Sequence, residues 1–119
     1  RQFVRIARDY VKKIHAFNKG NSPTASALLT LLQAERLAFR GKVQLAMDTY
    51  TEAISLLDAG EFHLISAIAS ERLGLCCLRY GEAKAASDYL QNALERFEHH
   101  GVPIKVSLME KRHAEILRC

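Results

Sequence analysis

The sequence predicts an all-α fold, and three observations support that prediction. Only six glycines and two prolines occur among 119 residues, whereas Ala, Leu, Glu, Lys, Arg and Gln, which lose little freedom in a helix, are plentiful. Apolar residues recur at steps of three and four, the spacing of one helix face. Short breaks containing glycine or proline separate these segments, so we expect about six helices, each antiparallel to its sequence neighbour.

The first helix, residues 1–18, is predicted to be basic and amphipathic. Its apolar face consists of Phe3, Ile6, Tyr10, Ile14 and Phe17. The opposite side carries a basic flank, made of Arg1, Arg5, Arg8 and Lys12. The net charge is +4, but six of 17 basic residues and one of 13 acidic residues lie within residues 1–20, so the remaining 99 carry a net charge of −1. The flank could meet a nucleic acid or an acidic partner, although without an aromatic stacking platform it is more typical of a solvated or intramolecular docking surface.

Two further helices are predicted between residues 24 and 59. Pro23 disfavours helix at Ser22, so the second helix begins at Thr24 and continues to Arg40, where Gly41 ends it. The third spans residues 42–57 and closes at Asp58-Ala59-Gly60. We expect Gly60 to occupy the left-handed position that follows a helix end, since glycine has no Cβ to clash there.

Three more helices complete the chain. Residues 61–80 and 82–99 end at Gly81 and Gly101. The last helix is expected over residues 102–118, because proline is tolerated in a first turn, where Pro103 stands. We treat residues 1–119 as one domain. Because the sequence opens at Arg1 without Met and stops at Cys119 directly after a helical pattern, we expect it to be part of a longer protein.

The two central hairpins, residues 24–59 and 61–100, superimpose at an offset of 40. The residues Ala34, Gly41, Ala46, Tyr50 and Ala53 align with Gly74, Gly81, Ala86, Leu90 and Ala93. This pattern resembles the tetratricopeptide repeat, although Thr30 and Ser70 stand at its usual tryptophan position and the period exceeds the usual length of about 34. The resemblance implies a short right-handed solenoid, in which a small residue on each first helix lets the second helix approach closely.

A broader resemblance is to the helical-repeat region of large multidomain signalling proteins. It rests on the runs at residues 33–38, 46–54, 71–74 and 80–86. In those proteins a STAND-type ATPase module precedes the repeats, and sensor or output domains, often a histidine kinase, follow them. The resemblance implies a module for protein–protein interaction or interdomain scaffolding, with any ATPase or kinase activity elsewhere in the parent chain. An alternative is a spacer that transmits nucleotide state to an output domain.

The concave surface of such a solenoid is built from the first helix of each hairpin. The candidate partner-binding residues on these helices are Arg36, Leu37, Arg40, Ser70, Arg72, Leu73 and Cys77. Among them Arg36, Arg40 and Arg72 could clamp an acidic peptide. The partner is expected to be a protein segment or an adjacent domain of the same chain; nucleic-acid binding through the basic flank is the alternative function.

No catalytic, cofactor or metal site is predicted. The sequence has no glycine-flanked nucleophile and no glycine-rich phosphate loop. Adjacent residues point about 100° apart on a helix, so neither His99-His100 nor Cys76-Cys77 can chelate as an i, i+4 pair would. We expect the two histidines to complement the carbonyl end of their helix with partial positive charge. The carboxylates of Asp48, Glu52, Asp58, Glu61, Glu95 and Glu98 are expected on solvent faces.

The cysteines and the hydropathy pattern indicate the cellular compartment in which the protein is expected. Three cysteines, two of them adjacent, cannot form a closed disulfide framework in one chain. We expect Cys76 and Cys77 to be buried and inert. Apolar runs such as residues 27–32 fall far short of a membrane span. A reduced, cytoplasmic setting is therefore predicted.

Overall fold

A computed structural model of the chain describes Arg5 and residues 23–117. Arg5 is helical and exposed. The remainder of the predicted helix at residues 1–18, including Arg1, Arg8 and Lys12, lies outside the described residues. The basic flank therefore stays a prediction.

Residues 23–117 form six α-helices and contain no strand. The helices are α1 (Pro23–Phe39), α2 (Val43–Ala59), α3 (His63–Arg79), α4 (Ala83–His99), α5 (Pro103–Arg112) and α6 (Ala114–Leu117). The all-α prediction is confirmed, and Pro103 is the first residue of its helix as expected. Helices α1 to α4 each contain 17 residues. No helix in the described part of the chain is both long enough and apolar enough to cross a membrane.

The chain divides into two compact units, residues 1–61 and residues 62–119. In the first unit α1 packs against α2. In the second unit α4 packs against α3 and also contacts α5 and α6. The division falls where the first predicted hairpin ends and the second begins.

The turns after α1, α3 and α4 share one backbone geometry. Each contains a glycine in the left-handed region: Gly41 at φ 76°, Gly81 at φ 83° and Gly101 at φ 70°. The N–H of the next residue donates to a carbonyl five positions back; for Glu82 this is the Cys77 carbonyl, at 2.8 Å. Glycine reaches this conformation without the Cβ clash that other residues meet, so each of these helices ends just before its glycine.

The turn after α2 corrects the prediction for Gly60. Gly60 is in the right-handed region at φ −86°, and the left-handed residue is Glu61, at φ 62°. The reason is that α2 continues to Ala59, two residues past the predicted end, so the left-handed position moves one residue beyond the glycine. Glu61 therefore adopts a conformation that L-residues with a Cβ disfavour.

The core of each hairpin is a seam of small residues with larger apolar side chains between them. Ala46 and Ala53 are fully buried on α2 on either side of Tyr50, and Ala86 and Ala93 are fully buried on α4. In the second unit a cluster of Ala67, Leu90, Ala93, Phe97 and Met109 joins α3, α4 and α5. The seam predicted from the 40-residue offset is thus buried in both units.

The predicted helix at residues 102–118 is interrupted at His113, which corrects that range. His113 has φ −118° and ψ 23°, and it separates α5 from the short α6. Its side chain is buried, and α6 is tied to α4 because Gln91 Nε2 donates to the Leu117 carbonyl at 2.7 Å. The helix therefore ends at Arg112, and the separate helix α6 brings the Leu117 carbonyl to Gln91.

Candidate functional site

The structure separates the predicted partner-binding residues into an exposed and a buried group. Arg36, Arg40 and Arg72 are exposed, and Leu37 is half-buried. The remaining three, Ser70, Leu73 and Cys77, are 1%, 0% and 0% exposed. A side chain without accessible surface cannot contact a partner, so these three are withdrawn from the candidate surface.

The physical reason is the orientation of α3. At about 100° per residue, Leu73 and Cys77 lie on the opposite side of α3 from Ile68. The same side includes Gly74, whose backbone approaches Leu90 of α4 closely. The face taken for a binding surface is therefore the face that packs against α4.

The exposed side of α3 carries a regular stripe of two aliphatic residues followed by an arginine. Leu64 and Ile68 are 46% and 44% exposed, and Arg72 is also exposed. Residues four apart lie one above the other on a helix face. The stripe therefore runs Leu64, Ile68, Arg72 along α3.

Helix α5 repeats this stripe 40 residues later. Ile104 and Leu108 are 76% and 46% exposed, and Arg112 is exposed at the end of the helix. We call Leu64, Ile68, Ile104 and Leu108 together the aliphatic surface. Each of its residues on α3 has an aliphatic counterpart at the same position of α5.

The two stripes lie side by side. Short turns make α3 and α5 each antiparallel to α4, and hence parallel to one another. The two helices are joined by an ion pair between Lys105 Nζ and Glu71 Oε1, at 2.8 Å. Around the axis of α3, Glu71 lies about 60° to one side of Ile68. Around the axis of α5, Lys105 lies about 60° from Leu108 in the opposite sense. The side of α3 that carries Glu71 and the side of α5 that carries Lys105 therefore face each other. Both stripes then lie on the same side of this pair of helices.

A buried ionic cluster holds α5 in this place. The Glu71 side chain is 6% exposed, and the Lys105 side chain, 28% exposed, also lies 5.5 Å from the ring centroid of Phe97. On the other side His113 Nε2 is 3.8 Å from Glu71 Oε2. Neither of these two atoms has a hydrogen-bond partner within the described part of the chain. Glu71 thus contacts one cation and one imidazole that both come from the C-terminal part of the second unit.

The environment of His113 favours its neutral form. Burial lowers the pKa of His113 below its ordinary value of 6.5, and the nearby charges of Arg112 and Lys105 lower it further. Glu71 acts in the opposite direction without reversing the shift in the pKa. The ion pair of Glu71 is therefore made with Lys105, and His113 contributes a polar neighbour.

Sequence reasoning missed Glu71 and its two partners. It placed the other carboxylates on solvent faces. Five of these six are exposed, and the sixth, Asp58, is half-buried; the exposed ones are Asp48, Glu52, Glu61, Glu95 and Glu98. A signal for Glu71 was present, because on α3 it lies four residues from Ala67 and three from Gly74, both buried. A carboxylate within a line of small residues indicates burial with a partner, since an unpaired buried charge is costly.

The histidines and cysteines that the structure describes are not grouped as a metal site would require. No group of three or more His, Cys, Asp or Glu residues among those described is arranged to hold a metal ion. Cys76 and Cys77 are free and buried, as predicted, and burial raises the pKa of the Cys77 thiol to about 11. Cys77 is therefore a thiol at neutral pH and a poor nucleophile.

The surroundings of His100 disfavour the positive charge predicted for the end of α4. Its ring stacks on that of His63, with centroids 5.0 Å apart, and meets His99 edge to face. Desolvation by these neighbours, followed by the charges of His63, His99 and Arg96, lowers the pKa of His100. The lowered pKa weakens the contribution that a His100 cation could make to the carbonyl end of α4.

Comparison with family models, curated proteins and solved structures returns no match to this chain.

Proposed function

We propose that this chain is a protein-binding module of the tetratricopeptide-like kind, a short right-handed array of helical hairpins without catalytic activity of its own. The observation that supports the proposal is the aliphatic surface: four exposed Leu and Ile side chains at matching positions of two adjacent helices. Clustered exposed aliphatic residues of this kind mark binding sites, because single exposed apolar residues are common but contiguous patches are not.

The surface is not a by-product of a poorly filled core. The buried positions of α4, at Ala86, Leu90, Ala93 and Phe97, are already occupied by apolar residues. The aliphatic surface lies on a different side of α3 and α5, held there by the Glu71–Lys105 ion pair. Residues that stabilise the fold and residues available for binding are thus separate sets.

In this proposal the module works as part of a cytoplasmic, multidomain signalling protein, either by recruiting another protein or by docking a neighbouring domain. The resemblance to repeat regions between an ATPase module and an output domain supports that setting. The nucleic-acid alternative depends on the basic flank, of which the structure describes only Arg5.

Site-specific photo-crosslinking in the parent protein tests the proposal. A benzophenone amino acid is placed at Ile104, the most exposed residue of the aliphatic surface, at 76%. The matched control carries it at Lys84 on α4, whose side chain is 92% exposed. We expect a discrete crosslinked product from the Ile104 position and none from the Lys84 position.

Mass spectrometry of the product identifies its second component. A crosslink to another protein, or to a different domain of the same chain, supports a binding module. Equal products from Ile104 and Lys84, or no product from either, would contradict it and leave the spacer interpretation.

A further inference from the structure

We propose that copies of this chain associate head to tail, with the N-terminal segment of one copy, residues 3–19, docking as a helix on one face of α5 of the next copy. This face carries Ser107 and Glu110, and it lies about 110° around α5 from Ile104 and Leu108 of the aliphatic surface. The inference therefore concerns a second site. It follows from the 40-residue period of the chain, from the burial of matching helix faces, and from one pair of opposite charges.

The 40-residue period continues beyond the two central hairpins. We call the first helix of each hairpin, α1 or α3, A-type, and the second, α2 or α4, B-type. Helix α5 begins at Pro103, 80 residues after Pro23 at the start of α1. Ala114, the first residue of α6, stands 40 residues after Gly74 of α3. Residues 103–117 are therefore a third segment with the A-type pattern.

The N-terminal segment repeats the pattern of the B-type helices. Its large apolar residues match buried residues of α2 and α4: Tyr10 matches Tyr50 and Leu90, and Phe17 matches Leu57 and Phe97. Arg5 is helical and exposed, and its counterpart Leu45 on α2 is exposed as well. Residues 3–19 therefore have the sequence of a third B-type helix, with Arg5 on the outer side.

The A-type helices of the two hairpins bury a face that α5 leaves exposed. Ala27 and Ala67 are 1% and 0% exposed, whereas their counterpart Ser107 is exposed. Ser70 is buried on α3, whereas its counterpart Glu110 is exposed. In the hairpins a B-type helix packs against the A-type helix. The face of α5 with Ser107 and Glu110, which we call the open face, is thus the one that a B-type helix would cover.

The two segments depart from the buried pattern with opposite charges. On the open face, Glu110 stands where α3 has Ser70. On the N-terminal segment, Lys13 stands where α4 has Ala93, which is fully buried. A charge that enters a buried contact is costly unless it meets a partner of opposite sign. Each departure is therefore explained if the two segments pack against each other.

The register of the α3–α4 hairpin brings these two charges together. Gly74 approaches Leu90 closely, and the two helices are antiparallel. Four residues before Gly74 and three residues after Leu90 then lie within about 1.5 Å of one another along the helix axes, at 1.5 Å per residue. These are the positions that Glu110 and Lys13 occupy in the third pair. A segment docked in the hairpin register consequently places Lys13 beside Glu110.

Association of this kind is heterologous, because the N-terminal segment and the open face are different surfaces. Each copy that joins still offers one of the two surfaces, so association continues into longer assemblies or closes into a ring. Two open faces would fit each other poorly, since that arrangement brings the two Glu110 carboxylates together. The second copy therefore contributes its N-terminal segment.

Sedimentation velocity of the full chain tests the proposal. The average mass of the wild type should rise with concentration between about 1 μM and about 1 mM. Lys13→Glu and Glu110→Lys should each weaken association at least about ten-fold, because each brings two like charges together. The double variant Lys13→Glu/Glu110→Lys should restore it. The matched control is Lys12→Glu, which makes the same change in net charge at the counterpart of the exposed Glu52 and should leave association unchanged.

A mixing experiment tests the head-to-tail arrangement. Ser107→Trp fills the open face with an indole, and Lys13→Glu disables the N-terminal segment. At a concentration where each variant alone is monomeric, an equimolar mixture should form a heterodimer, because one intact segment meets one intact open face. The control Ser55→Trp, at an exposed position of α2, should associate like the wild type. Circular dichroism checks that each variant is folded.

The outcomes distinguish the possible contacts. A wild type that stays monomeric throughout overturns the proposal, as does a mixture of the two blocked variants that stays monomeric. If association survives Glu110→Lys and Ser107→Trp, whose altered residues are exposed, the open face is the wrong site. Association that Ile104→Ser/Leu108→Ser abolishes would assign the contact to the aliphatic surface. The crosslinking experiment at Ile104 decides the proposed function independently of all these results.

Discussion

A Cβ atom on Gly74 would lie 2.7 Å from Cγ of Leu90 and 3.2 Å from the Leu90 backbone nitrogen. Helices α3 and α4 therefore approach one another at a point where no other residue fits without a shift. At the corresponding position of the first unit stands Ala34, which is fully buried and carries the Cβ that Gly74 lacks. The first unit therefore accommodates a Cβ at the position where the α3–α4 hairpin has no room for one.

We expect Gly74→Ala to lower the free energy of unfolding by up to about 2 kcal/mol. The gain in helix propensity is about 1 kcal/mol, but overpacking against the Leu90 backbone costs about 1–3 kcal/mol. Urea denaturation of the wild type, of Gly74→Ala, of Leu90→Ala and of the double variant measures the coupling. The cost of Gly74→Ala should fall in the Leu90→Ala background, and strictly additive effects would show that the two residues do not oppose each other.

A second prediction concerns Glu61, the one non-glycine residue with positive φ in the described part of the chain. Glu61→Gly should stabilise the protein by about 1 kcal/mol, because it relieves the Cβ strain of the left-handed conformation. Gly81→Ala should have the opposite effect, since Gly81 has φ 83° and no atom within 4 Å of the added Cβ, so only backbone strain operates.

The control for Glu61 is its neighbour. Gly60→Ala should be neutral or slightly stabilising, because Gly60 has a right-handed φ that alanine adopts freely. Thermal melts of the three variants give the order Glu61→Gly, Gly60→Ala, Gly81→Ala from most to least stable. A destabilised Glu61→Gly would mean that the glutamate side chain contributes more than its backbone strain costs.

These turns show which helix ends could be predicted from the sequence and which could not. Gly41, Gly81 and Gly101 marked helix ends correctly, because the left-handed conformation is a local property of one residue. Gly60 misled the prediction, since its φ depends on where α2 stops, and α2 continues to Ala59. The predicted partner-binding surface was placed on the side of α3 that carries Ser70, Leu73 and Cys77, which is buried, for a similar reason. Several faces of α3 are apolar or small, and only the positions of α4 and α5 decide which of them is covered.

The third prediction concerns the ion pair of Glu71. Lys105→Met should lower the free energy of unfolding by about 2–4 kcal/mol, because it leaves the buried Glu71 carboxylate without its cation. The double variant Glu71→Leu/Lys105→Met removes both charges and should recover most of that loss. The comparison is Lys84→Met, which breaks the exposed pair between Lys84 and Asp88, at 3.7 Å, and should change stability by less than about 1 kcal/mol. If Lys105→Met and Lys84→Met lower the free energy of unfolding by similar amounts, burial does not strengthen the Glu71–Lys105 pair.

The last prediction concerns the pH dependence of stability. Burial lowers the pKa of His113 below its ordinary value of 6.5, so the unfolded chain binds this proton more readily than the folded one. As the pH falls through the unfolded pKa, protonation favours unfolding, and the contribution of neutral His113 to stability is lost. Urea midpoints measured from about pH 8 to about pH 5 should therefore decrease.

Two variants identify which histidine causes that pH dependence of stability. His113→Gln keeps a polar side chain but cannot titrate, so its urea midpoint should depend less on pH than that of the wild type. His100→Gln is the necessary comparison, since its neighbours lower the pKa of His100 in the same direction. If the wild type and His113→Gln lose stability in parallel as the pH falls, the titration occurs at another group. If stability instead rises on acidification, protonated His113 pairs with Glu71 Oε2 across the 3.8 Å that separates them.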